Sequence, residues 1–240
     1  MSNALTVSLS HQMVLKRQME IIANNIANQS TVAFRSERPQ FQEFLLPSSN
    51  GSKVSYVLDQ GVIRNTKEGT FQPTSSPRDL AISGKGYFTI QTDRGERYTR
   101  NGHFRLNENA ELVTMEGGKV MSADNQPIVL DQALGDFTVG RDGAITIGEG
   151  DVAKLKVVTF RNEQALKKTF GGLYTAEFER PTESEDAEIV QFMLESSNVE
   201  PIMEMTNMIQ VHRAYASSQK LNQTDHDIQR KMIDKLGAAA

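Results

Sequence analysis

Gly84-Lys85-Gly86 comes nearest to a phosphate-binding loop. A Walker loop needs four residues between its glycines, then Lys-Ser or Lys-Thr, then a helix whose amides face the phosphate. Here the run leads into Tyr87-Phe88-Thr89-Ile90, which reads as a strand, so nucleotide binding is not expected. The chain has no cysteine, which removes disulfides, thiolate metal sites and cysteine nucleophiles together. Its four histidines (His11, His103, His212 and His226) are scattered, with no H-E-x-x-H pair to hold zinc and no G-x-S-x-G elbow elsewhere. His103 follows the Asn101-Gly102 turn and reads as a surface side chain. His212, between Val211 and Arg213, reads as a packed or rim residue rather than a pH switch. Among 30 acidic residues no pair stands out as a glycosidase dyad. Asn28-Gln29-Ser30 and Asn222-Gln223-Thr224 match a glycosylation sequon, but a helix end and a helix interior are poor acceptors. No catalytic, cofactor or metal residue is therefore expected.

The elements explain what the residues are for instead. The chain has 240 residues, with 26 basic and 30 acidic side chains, a net charge of −4 that lacks the footprint of a nucleic-acid binder. No apolar run nears the roughly 20 residues of a membrane helix, and the first residues lack the pattern of a cleaved secretory signal. All but one of the 17 glycines lie between Gly51 and Gly172. Glycine weakens helix interiors and supplies tight turns, so helices are expected at both ends and a turn-rich body between them.

Residues 3–28 lack glycine and proline, with Asn3 as a candidate N-cap and Asn28 as a left-handed stop. Leu15, Met19, Ile22 and Ile26 follow the spacing of a helix seam, continued towards the start by Leu5 and Leu9. Val7, Val14 and Ile21 make a second stripe. At the other end Asn198 is a candidate cap for a helix with Pro201 in its first turn, running about 50 Å. Ile202, Met205 and Ile209 form one of its stripes, and Met208, Val211 and Tyr215 another. A helix apolar on several sides is normally surrounded by neighbours.

The middle alternates short apolar runs with Arg94-Gly95, Asn101-Gly102, Gly117-Gly118 and Asp142-Gly143, the chemistry of hairpin loops. The expected class is α+β: two long terminal helices paired as a coiled-coil-like stalk, with a central antiparallel β-domain and extended connectors. The expected division is an N-terminal helix over 1–30, an extended connector over 31–75 and a β-domain over 76–175. An acidic connector over 176–197 and a C-terminal helix over 198–240 complete it. The acid-rich run from Glu177 to Glu188 reads as a solvated face or linker.

Surplus apolar helix surface at both ends, at roughly 1.5–3 kcal/mol per large side chain, predicts self- or hetero-assembly. Two segments make this definite. Ala23-Asn24-Asn25-Ile26-Ala27-Asn28-Gln29-Ser30-Thr31-Val32-Ala33-Phe34 resembles the N-terminal signature of bacterial flagellar rod and hook proteins, A-N-N-[IL]-A-N-x-x-T-x-G-F. Leu194-Glu195-Ser196-Ser197-Asn198-Val199, continuing to Arg213-Ala214-Tyr215, is similar to their C-terminal signature. Between them, Asp79–Phe88 and Arg97–Phe104 resemble the core of that family's β-domain. Ala33 departs from the pattern, which has glycine there; a positive φ at that position would cost alanine about 1 kcal/mol or more.

The resemblance implies a structural, non-enzymatic subunit of the basal-body rod, in its proximal part, that transmits torque from motor to hook through its terminal helices. It implies partners: other copies and other flagellar rod proteins in a helical assembly, and the flagellar type III export apparatus, with no nucleic acid, cofactor or transmembrane segment. It places the subunit in the rod crossing the periplasm, exported without a cleaved signal. The residues expected at the assembly interface are those of the helix stripes together with Asn24, Asn25, Asn28, Thr31, Phe34, Val199 and Arg213, with Asn198 at the C-terminal junction. A distal-rod subunit is the neighbouring alternative. A β-rich cell-wall carbohydrate-binding or hydrolytic domain is the other, disfavoured by the absence of tryptophan and 7% aromatic content.

Overall fold

A computed structural model describes residues 2–47, 53–130, 137–148, 150–184 and 186–237. They gather into two compact units, one of residues 1–27, 36–65 and 199–240, the other of residues 28–35 and 66–198. The chain therefore crosses between units four times, at 27/28, 35/36, 65/66 and 198/199.

The first unit holds two helices, α1 (Ser2–Ala27) and α2 (Pro201–Gly237), and a hairpin of β1 (Glu37–Pro47) and β2 (Lys53–Arg64). The strands pair antiparallel from Glu37↔Arg64 to Pro47↔Lys53, with a bulge opposite Gln40/Phe41. Gly61 sits in that bulge at φ +103, a conformation that suits glycine, and its amide donates to Asp59 Oδ1 at 2.8 Å. Helix α1 packs against both α2 and the hairpin. Leu15, Ile21 and Ile22 are its buried apolar residues. On α2 the most covered positions are Glu204, Met208, Val211, Tyr215, Ser218 and Asn222, alternately four and three apart, so they form one face. Ser8 Oγ on α1 donates to Asn222 on α2, while Ile21 and Ile22 lie near Val211, so the two helices run antiparallel.

The second unit is all β apart from short turns. Its strands begin with β3 (Phe71–Pro73), β4 (Leu80–Ser83), β5 (Tyr87–Thr92), β6 (Gly95–Thr99), β7 (Phe104–Leu106), β8 (Leu112–Thr114) and β9 (Lys119–Val120). They continue with β10 (Phe137–Val139), β11 (Ala144–Ile147), β12 (Gly150–Lys154), β13 (Val157–Thr159), β14 (Lys167–Lys168) and β15 (Tyr174–Thr175). The last are β16 (Thr182–Glu183), β17 (Glu188–Gln191) and β18 (Met193–Glu195). The main sheet runs β14-β15-β6-β5-β9-β8-β7, with β13 on β5 and β16 on β13. β10-β11-β12 form a smaller sheet, and β17-β4 and β18-β3 are separate pairs, all antiparallel. One core joins Leu80, Ile82, Phe88, Ile90, Leu112 and Ile145, all almost fully buried. A second is aromatic: Tyr87 and Tyr98 meet Phe160 edge-on, and Tyr87 meets Tyr174 the same way.

The α+β class holds, but the expected stalk with extended connectors does not. Residues 37–47 and 53–64 pair as two long antiparallel strands, so α1 is covered by strands as well as by α2 instead of by a helix partner alone. The acid-rich stretch carries β16, β17 and β18, which pair with β13, β4 and β3. Glu177, Arg180, Glu183, Asp186 and Glu188 are exposed and Glu179 is half-buried, while Ile189 and Glu195 turn inward. Two local expectations also change. Asn28 does not take a left-handed conformation; it opens a turn in which its carbonyl and side chain meet Thr31, and the left-handed residue is Ala33, at φ +56. Asn101-Gly102 joins strands that do not pair with each other. Gly102 is needed there because a Cβ would come within 1.6 Å of the Leu80 carbonyl oxygen.

Candidate assembly interface

The N-terminal signature is organised by one asparagine. Asn25 is 1% exposed; its Nδ2 donates to the Glu37 carbonyl at 2.9 Å and its Oδ1 accepts from the Glu37 amide at 3.0 Å. The side chain thus imitates a strand neighbour and fixes the start of β1 against the end of α1. Asn24 is exposed, and Asn28 is half-buried.

In the second unit the two signatures meet around a buried ion network. Glu195, 1% exposed, accepts from Arg35 Nη2 at 2.9 Å and from Arg100 Nε at 2.8 Å. Its Oε1 also accepts from the Gly69 amide at 3.1 Å. Its own carbonyl accepts from the Ala33 amide at 2.7 Å. Arg35 donates on to the Thr66 carbonyl, and Asn198 ties the Lys67 carbonyl with its side chain and the Phe34 carbonyl with its amide. Asn198 is therefore a tether, and α2 starts three residues later at Pro201. Burial draws the Arg35 guanidinium below its ordinary pKa, and Glu195 opposes that. Phe34 is buried, with the Lys168 ammonium 4.1 Å from its ring centre.

Gly84-Lys85-Gly86 belongs to the same network. Arg100 donates to the carbonyls of Ile82, Gly84 and Gly86 at 2.8, 2.9 and 3.0 Å, so the loop is a cradle for a cation. Glu68 completes it, accepting from Arg100 and from the Gly84 amide. Arg35, Arg100 and Glu195 were not singled out by sequence reasoning. Their only signal was position: each lies inside or beside a signature segment, but no spacing rule joins residues so far apart. His103 is half-exposed, with Nδ1 2.7 Å from the buried Asp79 carboxylate.

The residues expected at the interface are distributed as follows. Leu15, Ile21, Ile22, Phe34 and Val199 are buried, and Val7, Val14, Met19 and Ile26 are half-buried. Leu9 is exposed, as are Thr31 and Arg213, while the Leu5 side chain lies outside the described residues. On α2 the stripes divide differently from the expectation. Met208, Val211 and Tyr215 lie half-covered on the same face as Glu204 and Ser218. Ile21 likewise turns inward, because the hairpin adds a second surface for α1 to bury against. Ile202, Met205 and Ile209 are 79%, 50% and 53% exposed, and Leu221, Ile228 and Met232 are also open. Among the described residues no three acidic or histidine side chains gather as a metal site, and no helix is long and apolar enough to cross a membrane.

Comparison with known proteins meets this geometry at both of its halves. The profile of the flagellar hook protein FlgE/F/G D1 domain matches residues 81–147, and that of the flagellar basal body rod FlgEFG protein C-terminal region matches residues 190–235. The flagellar basal-body rod protein FlgF of Caulobacter vibrioides is 38% identical over 99% of both chains. The chain belongs to the flagellar basal-body rod protein family. FlgF of Rhizobium meliloti is 34% identical over the full length of both chains. FlgG of Caulobacter vibrioides is 32% identical over 92% of this chain and 94% of its own. Within the rod family the chain is thus more like FlgF than FlgG. It is a structural subunit of the flagellar basal body and not an enzyme, which sets aside the carbohydrate-active alternative.

Proposed function

We propose that this chain is a proximal-rod subunit that packs with other copies and other rod proteins through its terminal helices, and transmits torque from motor to hook. The observation that carries the reading is the run of large apolar side chains left open along α2, from Ile202 to Met232, in a member of the rod family. Burying each would contribute roughly 1.5–3 kcal/mol, so a lattice that covers them is strongly favoured over the dissociated chain. Leu9 and Met13 extend the open surface on α1, and Arg213 lies on α2 within the same exposed region. Contacts shared among many subunits distribute torque without any catalytic group. Delivery by the flagellar type III export apparatus, and a place in the rod where it crosses the periplasm, belong to the same reading. The FlgF relatives support the proximal place over a distal one.

The test is genetic and structural together. Removing residues 1–20 or 217–240 should abolish incorporation into purified basal bodies and swimming, while the β unit stays folded by circular dichroism. Normal motility from either truncation would refute the helices' role. Finding the intact chain crosslinked only to distal-rod neighbours would move it to the distal rod.

A further inference from the structure

We propose that the groove between α1 and the β1–β2 pair receives α2 of a second copy, antiparallel and in one register, an inference that rests on the reading of the chain as a rod subunit. The groove measures about 580 Å³ and belongs to the first unit. Leu9, Met13, Phe41, Val57 and Leu58 form its apolar walls, and all but Phe41 are exposed. Along α1 its open positions are Leu9, Met13, Lys16 and Glu20, spaced four, three and four, so they make one face. That face is turned roughly a third of a turn away from the buried Leu15 and Ile22. Lys16 stands in its middle, largely solvated, and reaches Glu20 only at 4.0 Å.

Helix α2 carries the complement. Leu221, Asp225, Ile228 and Met232 repeat the four-three-four spacing and are all exposed. They stand roughly a quarter-turn round the helix from the inward face of Ser218 and Asn222. Asp225 has no basic residue three or four positions away on its own helix, where Leu221, Asn222, Ile228 and Gln229 stand. It accepts from Gln229 Nε2 at 3.3 Å and has no ion pair among the described residues. The two faces match in one direction only. Antiparallel, Met232 meets Leu9, Ile228 meets Met13 and Asp225 meets Lys16, so apolar lies on apolar and the opposite charges pair. Leu221 then falls beside Glu20, whose carboxylate has Arg17 at 3.7 Å. Parallel, Asp225 falls on Met13 and Lys16 on Ile228, which strands both charges. The contact cannot form within one chain: Ser8 meets Asn222 there, which sets Leu9 level with Leu221, about 16 Å along the helix from Met232. A second copy supplies the missing helix. Its inserted face is on α2 and the receiving face on α1, so the contact runs head-to-tail from copy to copy instead of closing a pair. Because α1 and α2 are already antiparallel in each copy, this contact leaves all copies pointing the same way.

The experiment uses the full-length chain expressed in cells lacking their own copy, with subunits counted in purified basal bodies. The sequence has no cysteine, so an introduced pair reports alone. Oxidised basal bodies carrying Met13→Cys with Ile228→Cys should yield chain-to-chain dimers and larger multimers on non-reducing gels. Glu20→Cys with Met232→Cys, which are opposed in the parallel register, should not. Lys16→Glu or Asp225→Lys should each lower incorporation by about tenfold or more, and the two together should restore it to within about threefold of wild type. Amide exchange of the purified chain over residues 8–22 and 218–229 should be unchanged by either single substitution. Multimers from the second cysteine pair, wild-type incorporation of either single charge variant, or failure of the double variant to recover would each overturn the proposal. So would full incorporation of the first cysteine pair without multimers, which gives the groove to another protein. Faster exchange in either segment would make Lys16 and Asp225 residues of the fold instead, and overturns it as well. Absence of the wild-type chain from basal bodies is a separate result, which refutes the rod reading itself.

Discussion

Ala33 carries a backbone strain at the position where the signature has glycine. At φ +56 its Cβ crowds the chain, and its amide is held by the Glu195 carbonyl, so the turn cannot relax. Ala33→Gly relieves that crowding but frees the unfolded chain, for a net gain of about 0.5–1 kcal/mol in urea unfolding. Ala33→Val should lose stability in the same measurement, since β-branched residues tolerate this region poorly. Glu195 has the opposite standing: it is fully paired and nothing can replace it. Glu195→Ala leaves Arg35 buried without an anion and Arg100 with Glu68 alone, and should cost about 3–5 kcal/mol by denaturant titration. A loss under about 1 kcal/mol would mean that solvent reaches the two arginines. The departure at Ala33 was legible in the sequence because a signature specifies that position. The role of Glu195 was not, because Arg35, Arg100 and Glu195 come together only when three distant segments fold.

At the scale of elements, patterning succeeded where the apolar residues line a core and failed where many of them stay exposed. Tyr87–Thr92 and Ala144–Ile147 alternate or run apolar because they line a core, and both are strands. The β1–β2 hairpin leaves Phe44, Leu45, Val57 and Leu58 exposed, so it lacks the alternation that marks a half-buried strand. Pro39 and Pro47 then made it read as a connector. Close approach is equally silent in sequence: Gly69 is required because a Cβ would lie 1.9 Å from the Ser196 carbonyl oxygen. The aromatic cluster between β5, β6 and β15 has a measurable signature. Burial first, and then Glu163, raise the Tyr87 hydroxyl well above the usual tyrosine pKa, and burial with Glu96 pushes Tyr98 up to about 12. The unfolded chain releases these protons from about pH 10 and the folded one later, so stability is intact below pH 10 and falls as pH rises towards 12 and beyond. Unfolding titrations between pH 9 and pH 12 should show this fall, and Tyr98→Phe should make it shallower.

On the scale of the whole molecule, the two units differ in how far they are finished. The β unit encloses its own apolar and aromatic cores, whereas α2 keeps most of its large apolar residues open. Amide exchange in the dilute chain should therefore be fast over residues 217–237 and slow over β4, β5 and β6. Raising the concentration, or isolating assembled rods, should slow exchange along α2 selectively. Uniform slow exchange of α2 in the dilute monomer would show that its stability does not depend on neighbours. The sequence by itself determined the helical ends, the turn-rich antiparallel middle and the family, because these rest on local propensity, glycine placement and contiguous motifs. Only the tertiary structure decided that residues 37–47 and 53–64 pair as strands, which face of α2 is turned inward, and that Glu195 joins the two signatures. Those outcomes depend on which surfaces meet, and a linear pattern carries no record of a partner brought in from 95 or more residues away.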